Sequence, residues 1–214
     1  MNTRWTIIPL IAVTLTIAVP AAAAPNRPQL PELSEREETR LRNGQSVLHR
    51  NDDAVVGVIE IETSADELWK VLVDYNGVAA DDPVIRKIEP YHKASMGTHV
   101  EIALAFHLKV MSRDVLYHLH HQVYEDDKLM VWELDSSRDN DMELVDGAFT
   151  VWPGSTASTT RLLYRSKIST GAPIPDSLEE EITATTLRHY LKDVKARAER
   201  ASARNDLRTA EVSR

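Results

Sequence analysis

The side chains best equipped for chemistry in this 214-residue chain are three histidines in Tyr117-His118-Leu119-His120-His121. His118 and His120 are two apart, so a strand presents both imidazoles on one side, a spacing at which two nitrogens can bind one metal ion. Their companions on that side, Leu116, Gln122 and Tyr124, bring no third ligand. Solvated histidines, and no metal, are therefore the expectation. His121 alternates instead with Val115, Tyr117, Leu119 and Val123. That pattern turns it inward, where an imidazole can hydrogen-bond a hydroxyl or carbonyl of a ligand, or accept a proton as a base. The plain alternative is a core histidine satisfied by backbone or tyrosine.

Other chemistries find less to work with. There is no Gly-x-Ser-x-Gly elbow, and seven glycines form no phosphate-cradling loop. Cysteine is absent, which removes thiolate nucleophiles, thiolate metal sites and disulfides. The run Glu179-Glu180-Glu181 suits the positive end of a helix dipole and offers no carboxylate pair. The net charge of −8 argues against nucleic acid and against electrostatic docking on anionic lipid. It leaves an uncharged apolar ligand open.

The elements that must position these residues are mostly strands. Residues 98–110 alternate strictly, with Thr98, Val100, Ile102, Leu104, Phe106, Leu108 and Val110 on one face. Further strands are predicted at Ala54–Glu62, Val84–Tyr91, Val115–Tyr124, Leu129–Leu134, 142–152 and 159–169. Short polar turns between most of them predict an antiparallel meander. Ser64 and Glu67 form a capping box before the stripe Leu68, Val71, Leu72, Tyr75, and Asn76-Gly77 reads as its stop. A long helix is predicted from Asp176 to about Ala203. It carries one stripe of Leu187, Tyr190, Leu191, Val194 and Ala198, and a second face of Leu178, Ile182, Thr185 and His189. His189 or Tyr190 could meet a ligand.

The ends read differently. Arg4, the apolar run Trp5–Val19 and the small residues Ala21–Ala24 read as a signal peptide over 1–23. Its removal leaves a charge of −9, and the expected location is the periplasm. Residues 24–53 read as a linker and a short helix, Ser34 to Gln45, lying on the domain surface. The domain itself is read as 54–204, and 205–214 as a disordered tail.

The order of these elements resembles the START-like helix-grip superfamily, also called SRPBCC. That superfamily includes polyketide cyclases, coenzyme Q-binding START proteins and the birch-pollen allergen. The resemblance rests on the strand VVGVIEIE at 55–62, then Leu68-Trp69, Val71-Leu72, Asp74-Tyr75 and Pro83. It continues in Ser112-Arg113-Asp114, in Gly147, Phe149, Val151 and Pro153, and in Thr160 to Tyr164. Phe149 stands where Trp is commoner. The resemblance covers about 54–200 and implies an α+β helix-grip fold, a curved antiparallel sheet around a long C-terminal helix with short helices after the first strand.

It further implies a cavity between sheet and helix that takes a hydrophobic small molecule, a lipid, quinone or sterol-like compound. Val100, Ile102, Leu104, Phe106, Leu108, Tyr117, Leu119, Trp132, Phe149 and Val151 would line it, with His121 or Tyr117 as polar contact. No cofactor and no nucleic-acid partner is implied, while transient membrane contact is compatible with carrying such a ligand. The alternative is a cyclase- or dehydratase-type enzyme on the same fold, which needs a second polar group beside His121.

Overall fold

The computed structural model describes residues 27–51, 54–110, 112–171 and 176–212, with backbone only for 51, 176–180, 182 and 205–212. The expected signal peptide at 1–23 lies outside the described residues, as do the side chains of Leu178, Ile182 and Glu179-Glu180.

Among these residues, eight antiparallel strands form one sheet. They are β1 (Val47–Asn51), β2 (Ala54–Ile61), β3 (Ile85–Ser95), β4 (Val100–Val110), β5 (Arg113–Tyr124), β6 (Leu129–Leu134), β7 (Leu144–Pro153) and β8 (Thr160–Ser169). Their spatial order is β1-β2-β8-β7-β6-β5-β4-β3. The meander β3 to β8 thus returns its last strand to the side of β2. Four helices complete the molecule: α1 (Glu35–Arg42), α2 (Ala65–Leu72), α3 (Tyr75–Asp81) and α4 (Asp176–Val212). This is the α+β arrangement expected, a curved sheet with a long terminal helix and short helices early in the chain.

The alternation in residues 98–110 sets the two faces. Ile102 pairs with His121, Leu104 with Leu119 and Phe106 with Tyr117, so these side chains share the inner face. Leu104, Phe106, Leu119, Trp132 and Phe149 join Leu68, Trp69, Leu187, Leu191 and Val194 in one core. Gly57 of β2 lets the helix come close: a Cβ there would meet Leu191 Cδ1 at 2.6 Å. Helix α4 accordingly packs on β2 and β8, with α2 beside it, while α3 lies on β3. Among the described residues no helix packs closely against β4, β5 or β6.

Several local expectations need correction. Helix α1 lies on the surface as expected, but it is anchored there by one buried side chain, Leu41. Leu41, Val47, Val58 and Leu163 form a second buried cluster behind the sheet, with Leu33 and Trp152 against it. The segment read as linker also supplies β1, which pairs antiparallel with β2. Asn76-Gly77 is no stop. Helix α2 ends at Leu72, and Asp74 caps α3 by accepting the Gly77 N–H at 3.0 Å. Helix α4 runs to Val212, past the expected end, because no glycine or proline follows Ala203 to break it. Of its second face, Thr185 and His189 are exposed.

Candidate functional site

Strand β5 brings His121 into the interior as its alternation predicts, and only 6 % of its surface remains exposed. Its ring is set among Tyr75, Phe106 and Trp132, with centroids at 5.5, 6.2 and 5.9 Å. The Tyr75 hydroxyl lies 3.0 Å from His121 Nδ1, and Met130 Sδ is 3.7 Å from the same hydroxyl. His121 Nε2 is buried and has no partner in the protein. Desolvation, helped by neighbouring His120, lowers the imidazole pKa to about 3, so the ring is neutral near pH 7. Desolvation also raises the Tyr75 phenol far above its usual range. A neutral phenol and a neutral imidazole thus meet in an aromatic pocket.

Tyr75 is the residue that sequence reasoning missed. It was legible as the last member of the α2 stripe. Instead the chain breaks at Val73, and Tyr75 opens α3, which aims it across at β5.

The predicted lining residues divide into two sets. Leu104, Phe106, Leu119, Trp132, Phe149 and Val151 are buried in packed core. Val100, Ile102, Leu108 and Tyr117 keep part of their surface accessible. Tyr164 of β8 and Tyr190 of α4 behave the same way, their rings 4.9 Å apart. Tyr190, not His189, is the member of the helix pair that turns inward. Tyr117, Tyr164 and Tyr190 also lie deep, since desolvation raises all three phenols, that of Tyr190 to about 12. These six side chains pack against the core and yet keep part of their apolar and aromatic surface accessible. Val100, Ile102, Leu108 and Tyr117 stand on β4 and β5, which no helix covers closely among the described residues, and Tyr164 and Tyr190 border them from β8 and α4.

The outer face of the sheet carries a different feature. A recess of about 440 Å³ is bordered by His92, Glu101, His120, Glu133, Asp146 and Arg165. Ala103, His120, Glu133 and Asp146 are cross-strand partners, which places this recess on the side opposite His121's ring. His120 Nε2 meets the Asp135 carboxylate at 3.0 Å. His118 Nδ1 lies 3.2 Å from Asn140 Oδ1 and packs on Tyr91. The recess mixes these charged groups with apolar residues such as Pro28, Val131 and Ala148.

Sheet, helix and aromatic interior together define the START-like (SRPBCC) helix-grip fold. No family model matches the sequence, and no curated protein matches it. Solved structures do. A START superfamily protein from Mycobacterium smegmatis is 15% identical, with TM-score 0.57 over 69% of this chain and 97% of that one. The Zhui aromatase/cyclase from Streptomyces sp. R1128 is 17% identical, with TM-score 0.56 over 69% of this chain and 93% of that one. A STAR-related lipid transfer protein from Xanthomonas axonopodis is 17% identical, with TM-score 0.54 over 72% and 98%. At these identities the likeness is one of fold.

Proposed function

We propose that this chain binds and carries a hydrophobic small molecule, such as a lipid, quinone or sterol-like compound, between α4 and the β4–β6 part of the sheet. The observation that carries the reading is the apolar and aromatic surface of Ile102, Leu108, Tyr117, Tyr164 and Tyr190, packed against the core and still partly accessible. Burial of an apolar ligand there is driven by area, at about 25 cal/mol per Å². One polar group, His121, fixes its orientation. The names of the lipid transfer and aromatase/cyclase neighbours support a ligand of this kind.

The proposal includes export, supported by Arg4, the apolar run Trp5–Val19 and Ala21–Ala24. Loading and delivery would involve brief contact with a membrane. Among the described residues no helix is long and apolar enough to cross one.

The cyclase- or dehydratase-type alternative gains one observation, since Tyr75 supplies the second polar group that the sequence did not offer. The same burial weakens it. An imidazole whose pKa is held at about 3 is a poor base near neutral pH. Carriage is therefore the better reading. Purification of the full chain from its native envelope, solvent extraction and mass spectrometry test it. A stoichiometric apolar compound is expected, whereas protein free of any such compound that also takes up no apolar probe contradicts carriage.

A further inference from the structure

We propose that the ligand of this site presents an uncharged carbonyl-type oxygen to the Nε2–H of His121. The inference deepens the reading above and rests on it. It follows from counting protons at the Tyr75–His121 contact.

The Tyr75 phenol has one proton to donate. Two acceptors are within reach, His121 Nδ1 at 3.0 Å and Met130 Sδ at 3.7 Å. An imidazole nitrogen is a much stronger acceptor than a thioether, so the proton goes to Nδ1. A neutral imidazole carries a single N–H, and with Nδ1 accepting, that N–H is on Nε2. Tyr75 therefore acts as a positioning residue that fixes the tautomer. The N–H so created is buried and has no protein acceptor. Buried donors are almost always paired, so this one calls for an acceptor that the protein itself does not supply, and a ligand in the proposed site would supply it.

The surroundings narrow the acceptor. The rings nearest His121 are those of Tyr75, Phe106 and Trp132, and Ile102 is its cross-strand partner. None of these side chains balances a charge. A carboxylate would enter without a counter-charge, since the imidazole is neutral. An amine has no proton acceptor waiting for it, because Nδ1 is engaged. A ketone, quinone, ester or amide oxygen fits, and a pure hydrocarbon leaves the donor unpaired.

Two measurements on the full chain test this. The first is the 15N spectrum of histidine-labelled protein, which reads the tautomer directly. Protonated Nε2 and unprotonated Nδ1 are expected, and the reverse overturns the inference. The second is the affinity for a shape-matched pair, benzophenone and diphenylmethane. The ketone is expected to bind about tenfold more tightly and to move the Nε2 resonance. In His121→Phe the ratio should fall to about one. Tyr75→Phe should reduce it as well while keeping the imidazole, which guards against a His121 variant that fails to fold. Equal wild-type affinities, with an unmoved Nε2 signal, overturn the carbonyl assignment and leave apolar carriage standing. If neither compound binds, carriage itself fails, and this inference with it.

Discussion

The hydroxyl of Tyr75 on α3 reaches across the interior to Nδ1 of His121 on β5, at 3.0 Å. These residues are 46 positions apart in the chain. The hydrogen bond therefore joins α3, which lies on β3, to a buried imidazole on β5, and in the proposed function α3 is the rim of the site. The other end of this rim is tied to α4, where Arg197 Nε lies 3.2 Å from Asp81 and Arg200 Nη2 lies 3.7 Å from the same carboxylate.

The burial of His121 has a sign in stability. Its pKa falls from the ordinary 6.5 to about 3 on folding, so the unfolded chain binds the extra proton between those values. The contribution is fully present above about pH 6.5 and is lost as pH falls toward 3, by roughly 1 kcal/mol per pH unit. Urea unfolding of wild type and His121→Phe across that window should show the wild type losing stability more steeply. Parallel curves would mean that the imidazole is not desolvated.

The tie between α3 and α4 should set how fast a ligand leaves. Arg197 also donates to the Val71 carbonyl at 3.3 Å, and its side chain is only 10 % exposed. Replacing it with methionine keeps the apolar stem and removes the charge. Release of a bound apolar dye, followed by stopped flow, should quicken about fivefold, as expected for loss of a partly exposed ion pair. An unchanged rate would show that α3 is not the gate.

Behind the sheet, Arg161 holds the fold and not the site. Its Nε meets Glu60 at 2.8 Å and its Nη1 meets Glu38 at 3.0 Å. Glu60 is 5 % exposed and also accepts the Ser155 N–H at 3.0 Å. Arg161→Met strands that carboxylate and should cost about 3–5 kcal/mol in unfolding experiments. Adding Glu60→Gln should recover part of the loss, and a double variant as unstable as the single one would refute the pairing.

Gly147 faces Trp132 across the β6–β7 ladder. A Cβ at Gly147 would run into the indole ring and come within 2.7 Å of the Arg165 carbonyl. Gly147→Ala should therefore destabilise by about 1–3 kcal/mol and shift the near-ultraviolet signal of Trp132. Wild-type stability in this variant would show that the ring has room to move.

Much of this architecture is written in periodicity. The alternation of Val100 to Leu108 fixes the inner face because a strand cannot bury both parities on one side. His121 was placed inward by the same argument. Ser34 and Glu37 have the spacing of a capping box, and both halves of it form at the start of α1. What was not legible depends on contacts distant in the chain. No local pattern states that α4 covers β2 and β8 but leaves β4 to β6 open. Tyr75 gave a helical signal, yet its meaning lies in a partner on another element. Nor does any local pattern announce that Leu41 of the surface helix α1 is buried, because its neighbours lie on β1, β2 and β8 and not on its own helix.

The central claim is that the interior beside Ile102 and Tyr117 admits an apolar guest. Titration of the full chain with Nile red, in wild type and in Ile102→Trp, tests it most directly. The account predicts saturable uptake of one dye per chain in the wild type, and its loss when the indole fills the space in a variant with unchanged circular dichroism. Absent uptake by the wild type, or equal uptake by both proteins, would contradict it.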